Sequence, residues 1–198
     1  MRPATAGLAP DRRLVLVGMM GTGKSTVARL LASTLGYGLA DTDQLVEARA
    51  GRTVAEIFEL DGEGEFRAAE AHAIAEVGEM AGPLVVSVGG GAVLAATNRR
   101  AMRALGTVVW LRARPATLAG RVGAGLDRPL LSTGLDEPCG ATAPHDVLVR
   151  LDSERRALYE EVADMVVDVD DLSAQQVARR VVDTLAERGA RAPGHRPG

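Results

Sequence analysis

The chain has 198 residues, 46% hydrophobic and 25% charged, an ordinary balance for a globular protein with room for one substantial core. Its 26 acidic and 23 basic residues leave a net charge of −3, which argues against a general nucleic-acid binder, and no run of about 18 apolar residues offers a membrane span. The N-terminal stretch lacks the apolar centre of a secretory signal and the single cysteine, Cys139, suits a reducing compartment, so a cytoplasmic location is expected.

Residues 1–11 and 188–198 show little apolar periodicity and read as loose tails around one domain spanning 12–187. Short, mostly apolar runs at 14–17, 38–40, 84–88, 107–111 and 165–169 predict strands buried on both faces. Helical spacing falls between and after them, at 24–35, 43–50, 53–60, 63–80, 97–105, 115–122, 147–163 and 173–187. This alternation predicts an α/β fold with a parallel sheet between helical layers. One stretch, 123–146, is rich in Gly, Pro, Ser and Thr and has the length of a lid or binding loop.

The first strand runs into Gly18-Met-Met-Gly21-Thr22-Gly23-Lys24-Ser25-Thr26, the pattern G-x-x-x-x-G-K-[ST], and a helix follows at once. Glycines at these places let the backbone wrap phosphates and aim its N–H groups at them. The helix dipole adds to that field, Lys24 reaches the outer phosphates, and the Ser25 hydroxyl suits Mg²⁺. With this composition the required glycines and hydroxyl residue fall at the right offsets from a lysine by chance on the order of once in a thousand. Lys24 is the one lysine in the chain; the other 22 basic residues are arginine.

Other strand ends should deliver residues near that cradle, because ligands of open parallel sheets bind beyond the carboxyl ends of the strands. The second strand ends in Asp41-Thr42-Asp43, where one carboxylate could support a Mg²⁺ shell and the other meet an acceptor hydroxyl, although an aspartate here also suits a helix N-cap. The third ends in Ser87-Val88-Gly89-Gly90-Gly91, a run that permits close approach to a ligand or an unusual turn. Arg67 and Glu70 stand three apart on a helix, either as a surface ion pair or as a carboxylate holding a guanidinium toward an anion. Arg121, Arg128 and Arg155 are further forks for phosphate or carboxylate. His72, His145 and His195 are scattered without metal-ligand spacing, and Trp110 reads as core.

In this order, the motif at 18–26, Asp41-Thr42-Asp43, the Phe58, Phe66 and Arg67 arrangement, Gly89 to Gly91, Arg128-Pro-Leu-Leu and Arg155-x-x-Leu-Tyr159 resemble shikimate kinase over residues 13–187. The resemblance implies a P-loop kinase fold with a five-stranded parallel sheet, a helical substrate-binding region and a lid at about 123–146. It implies transfer of the γ-phosphoryl group of ATP to the 3-hydroxyl of shikimate with Mg²⁺, by a monomer without nucleic-acid or membrane partners. Asp43 would hold the acceptor hydroxyl and take its proton, while Lys24 and Arg128 would stabilise the transferring phosphoryl group. Arg67 and Arg155 would bind the shikimate carboxylate, Glu70 would orient Arg67, and Gly89, Gly90 and Gly91 with Phe58 and Phe66 would surround the ring. Gly21, Thr22, Gly23, Lys24, Ser25 and Thr26 would hold the nucleotide, Arg121 would stack on adenine, and Ser25 with Asp41 would serve the metal. The other readings are a kinase of another small hydroxy or sugar acid, such as gluconate, and a nucleotide sensor without turnover.

Overall fold

The computed structural model of the chain describes residues 13–122 and 144–191. Five parallel strands form one sheet: β1 (Arg13–Val17), β2 (Gly38–Asp41), β3 (Leu84–Ser87), β4 (Gly106–Arg112) and β5 (Met165–Asp168). Their spatial order is β2-β3-β1-β4-β5. From β1 the chain goes out to the edge, returns beside β1 as β3, and then crosses to β1's other side as β4. The ends of β2, β3 and β1 therefore stand in a row, with Asp41 in register with Ser87 and Ser87 with Leu16.

Eight helices surround the sheet among the described residues: α1 (Lys24–Leu35), α2 (Thr42–Ala50), α3 (Val54–Leu60), α4 (Gly62–Glu79), α5 (Ala96–Leu105), α6 (Pro115–Val122), α7 (Pro144–Val162) and α8 (Ala174–Arg191). Local chemistry sets several of their ends. Asp41 caps α2 by accepting from the Asp43 N–H at 3.1 Å. Thr53 and Glu56 form a reciprocal capping box on α3. A single 3-10 turn, Ala92–Leu94, follows the glycine run where no element was expected; Arg99 donates to the carbonyls of Val93 and Leu94 in it at 2.8 and 3.1 Å.

The boundaries differ from expectation by three residues or more in two places. Residues 144–146, expected in the loop, form the first turn of α7, and 188–191, expected in a loose tail, continue α8. Residues 123–143, which carry Arg128 and Cys139, and 192–198, which carry His195, lie outside the described residues.

The main core is the sheet with α1, α5, α7 and α8 packed on its faces; Leu14, Leu16, Leu31, Leu111 and Leu118 are fully enclosed. Trp110 lies in this core, stacked on Tyr159 of α7 at 5.5 Å between ring centroids. A smaller, separate core of Val46, Ile57, Phe58, Phe66 and Ala73 ties α2, α3 and α4 into one unit beside the β2 edge. Among the described residues no helix is long and apolar enough to cross a membrane.

Candidate active site

The loop between β1 and α1 has the backbone its sequence requires. Gly18 adopts φ 145°, and a Cβ there would overlap the Leu111 carbonyl oxygen, so only glycine lets the loop leave β1 against the end of β4. Thr22 is buried and its hydroxyl donates to the Met19 carbonyl at 2.8 Å. Lys24 Nζ folds over the loop and donates to the carbonyls of Gly18 and Met19 at 2.7 and 2.9 Å. At the head of α1 the Ser25 hydroxyl donates to Asp41 Oδ2 at 2.9 Å and stands 3.4 Å from the Ser87 hydroxyl. Of the roles weighed from the sequence, Asp41 fills the helix cap through Oδ1, while its Oδ2 accepts from Ser25 of the phosphate loop.

On one side of the loop lies a cleft of about 280 Å³ lined by Gly21, Thr22, Gly23 and Thr26, with Val169, Leu172 and Val177 opposite. Arg121 closes one wall, its Nη2 donating to the carbonyls of Val169 and Asp170 at 2.7 and 3.1 Å. The cleft has a polar phosphate end and an apolar far end, the pattern a nucleotide base and its phosphates require.

On the other side the glycine run packs directly against the phosphate loop: a Cβ on Gly90 would lie 3.3 Å from the Gly18 carbonyl oxygen and 3.4 Å from the Met20 nitrogen. Gly89 is held by the buried Thr42 hydroxyl, which accepts its N–H at 3.1 Å. Above Gly89 lie two carboxylates; a Cβ there would meet Glu70 Oε1 at 2.5 Å and Asp43 Oδ1 at 2.8 Å. Above Gly91 lies the Arg67 guanidinium, occupying the space a side chain would need. The run is therefore a floor on which charged groups from α2 and α4 sit.

Arg67 is fixed from three sides. It donates to Glu70 Oε2 at 2.9 Å and to Glu63 Oε1 at 3.0 and 3.1 Å, and it lies 5.3 Å from the Phe66 ring centroid and 6.0 Å from that of Phe58. The pair with Glu70 is not the surface ion pair that helical spacing alone allows, because Glu70 is only 1% exposed. Burial pushes its carboxyl up to about 7; Arg67 and Arg155 oppose that, and the neighbouring Asp43 carboxylate adds to it. One buried carboxyl thereby feels Arg67, Asp43 and Arg155 together. Phe58 and Phe66 face each other at 4.5 Å in the satellite core, 6% and 2% exposed. Their burial in the α2–α4 unit makes them the bed of the Arg67 guanidinium.

Arg155, on α7, is 6% exposed, and its Nε has no hydrogen-bond partner among the described residues. Four residues on, the Tyr159 hydroxyl donates to the Gly90 carbonyl at 2.6 Å. Thr42, Ser87 and Tyr159 are supports that received no role from the sequence. Ser87 was visible as the polar residue ending an apolar strand, whereas Thr42 and Tyr159 were visible only as members of the Asp41-Thr42-Asp43 and Arg155-x-x-Leu-Tyr159 motifs. Among the described residues no group of three or more His, Cys, Asp or Glu side chains is placed to hold a metal ion. Arg128 lies outside the described residues.

A family model described as Shikimate kinase matches residues 20–186. The chain belongs to the shikimate kinase family. A shikimate kinase of Symbiobacterium thermophilum is 46% identical over 180 residues, covering 90% of this chain and 98% of that protein. One of Tolumonas auensis is 40% identical over 178 residues, covering 90% and 99%. Among solved structures, shikimate kinase from Acinetobacter baumannii in complex with shikimate superimposes with a TM-score of 0.81 at 32% identity, covering 89% of this chain and 94% of that one. A gluconokinase from Sinorhizobium meliloti, at 21% identity and a TM-score of 0.54, shares the fold alone.

Proposed function

We propose that the chain is an ATP-dependent shikimate kinase that transfers the γ-phosphoryl group of ATP to the 3-hydroxyl of shikimate, with the residues above in the roles their surroundings suit. The observation that carries the reading is the convergence of Asp43, Arg67 and Arg155 around one buried carboxyl, Glu70, over a glycine floor that abuts the phosphate loop.

A small acid with hydroxyl groups needs fixed cations at one end and a hydroxyl-orienting carboxylate at the other. Arg67 is pre-aligned by Glu63, Glu70 and two rings, and the buried Arg155 Nε is a donor that an anion would complete; a buried donor without a partner is costly. These two bind the carboxylate. Asp43, beside Gly89, accepts the hydrogen bond of the acceptor hydroxyl and takes its proton as the oxygen attacks phosphorus and the bond from phosphorus to the ADP leaving oxygen breaks. Little covalent chemistry is asked of the protein; aligning the two substrates across the contact between Gly90 and the phosphate loop is most of the catalysis. Lys24 leaves its loop carbonyls for the phosphates, and Arg128 is assigned to the transferring group by the family resemblance alone. Arg121 and the apolar end of the cleft take the adenine.

Ser25 and Asp41 form an all-oxygen pair at the head of α1, the hard donor set that suits Mg²⁺. The ion supplies charge neutralisation between the β- and γ-phosphates when bound. The net charge of −3 supports a protein without nucleic-acid partners, and we take it as a cytoplasmic monomer on the family resemblance.

A coupled assay of ADP release tests the reading, run with ATP and Mg²⁺ alone, with shikimate and with gluconate. Turnover is expected only with shikimate. ATP binding without shikimate-dependent ADP would leave a nucleotide sensor and refute the kinase; turnover with gluconate in its place would refute the substrate.

A further inference from the structure

Tyr159 is buried without any exposure, and its ring lies on the chain's only tryptophan, Trp110, at an interplanar angle of 20°. Packing alone would be served by phenylalanine. The hydroxyl instead crosses from α7 to the glycine run, 69 residues away in sequence, and donates to Gly90 at 2.6 Å. Arg155 stands one turn earlier on the same helix, near enough for its charge to act on the phenol. Burial raises the phenol's pKa, so the group remains a neutral donor throughout the working pH range.

These contacts close a circuit. The two arginines that face the acceptor's carboxylate stand on different elements, Arg67 on α4 and Arg155 on α7. Arg67 is set by its seat over Gly91, and Gly91's neighbour Gly90 is held by Tyr159. Among the described residues this is the hydrogen bond that joins α7 to the glycine run. We propose that the Tyr159 hydroxyl is a positioning residue that sets the spacing of Arg155 against the glycine floor, and with it the affinity for the acidic substrate. It touches neither substrate nor nucleotide and acts through Gly90 and Arg155. The inference rests on the shikimate kinase reading above.

Tyr159→Phe removes one oxygen and keeps the ring stack. The expected result is a shikimate Kd and KM raised about tenfold, as for a lost buried hydrogen bond that also strands its acceptor, with ATP KM and kcat within about twofold of wild type. Trp110 fluorescence during shikimate titration gives the Kd independently of turnover. Two results overturn the proposal: a lowered Tm with shikimate Kd within about twofold, which makes the hydroxyl a matter of stability only, or equal changes in shikimate and ATP parameters, which make it general loosening. Wild-type enzyme with no shikimate-dependent ADP release would overturn the underlying reading as well, and the two failures are thereby told apart.

Discussion

Gly91→Ala offers the sharpest test of the glycine floor, because it adds one methyl group and leaves every charged residue in place. Gly91 sits at φ −91° and ψ −9°, a conformation alanine adopts without strain, so the backbone has no reason to move. The methyl would instead meet Nη1, Nη2 and Cζ of Arg67 inside 3.0 Å, against 3.4 Å or more for ordinary contact. The guanidinium must withdraw, and Glu63, Glu70 and the two phenylalanine rings define the place it withdraws from. A charge-assisted pair between Arg67 and a carboxylate contributes about 1.5–3 kcal/mol, so its loss should raise the shikimate Kd roughly 10- to 150-fold. Folding stability should fall modestly, because displacing the guanidinium strips the buried Glu70 of its partner, an effect only partly offset by the restriction of the unfolded chain. Calorimetric titration with shikimate and a thermal melt read the two quantities separately. In an Arg67→Ala background the substitution should add nothing further, because its target is gone. A shikimate Kd within about threefold of wild type, or an undiminished effect without Arg67, would refute the reasoning.

Asp43→Asn should lower kcat by at least about a hundredfold while leaving ATP affinity within about twofold, because an amide cannot take the acceptor's proton; single-turnover kinetics with an ATP-binding measurement check this. Lys24→Arg should lower kcat by at least about tenfold in the same assay, since the broad guanidinium fork does not fit where an ammonium on a flexible stem reaches between loop and phosphates. Glu70 supplies a pH prediction. Its carboxyl is raised from 4.5 to about 7 in the folded protein, so that group's stabilisation is full below pH 4.5 and is lost as the pH rises through 7, by at most about 3 kcal/mol. Glu70→Gln has no such proton, so urea unfolding of both proteins from pH 5 to 8 should show the variant gaining relative stability with rising pH; a flat or falling difference would contradict it.

The phosphate loop was legible because its chemistry is local. Strand, glycines, lysine and helix start lie within a dozen residues, and backbone geometry at Gly18 and Gly23 is sufficient to build the cradle. The Asp41 cap was legible for the same reason. Phe58 and Phe66 were found, but their place in a satellite core beneath Arg67 was not legible: sequence spacing tells which residues share a helix face, and does not tell whether a satellite core will close over that face. The helical spacing of Arg67 and Glu70 was read correctly, yet the burial of Glu70, which makes the pair significant, comes from elements far away in the chain.

By itself the sequence determined the alternating α/β pattern, the nucleotide cradle with its single lysine, and the ordered motifs that identify the family. Only the tertiary structure decided that β3 lies between β2 and β1, which brings Ser25, Asp41 and Ser87 within hydrogen-bonding range at the ends of neighbouring strands. It also decided that Arg67 rests on Gly91 and that Tyr159 reaches Gly90. The division has a physical origin. Dihedral preference and capping act over a few residues, whereas burial, desolvation and the approach of a glycine floor to a guanidinium depend on surfaces supplied by separate elements once they have packed.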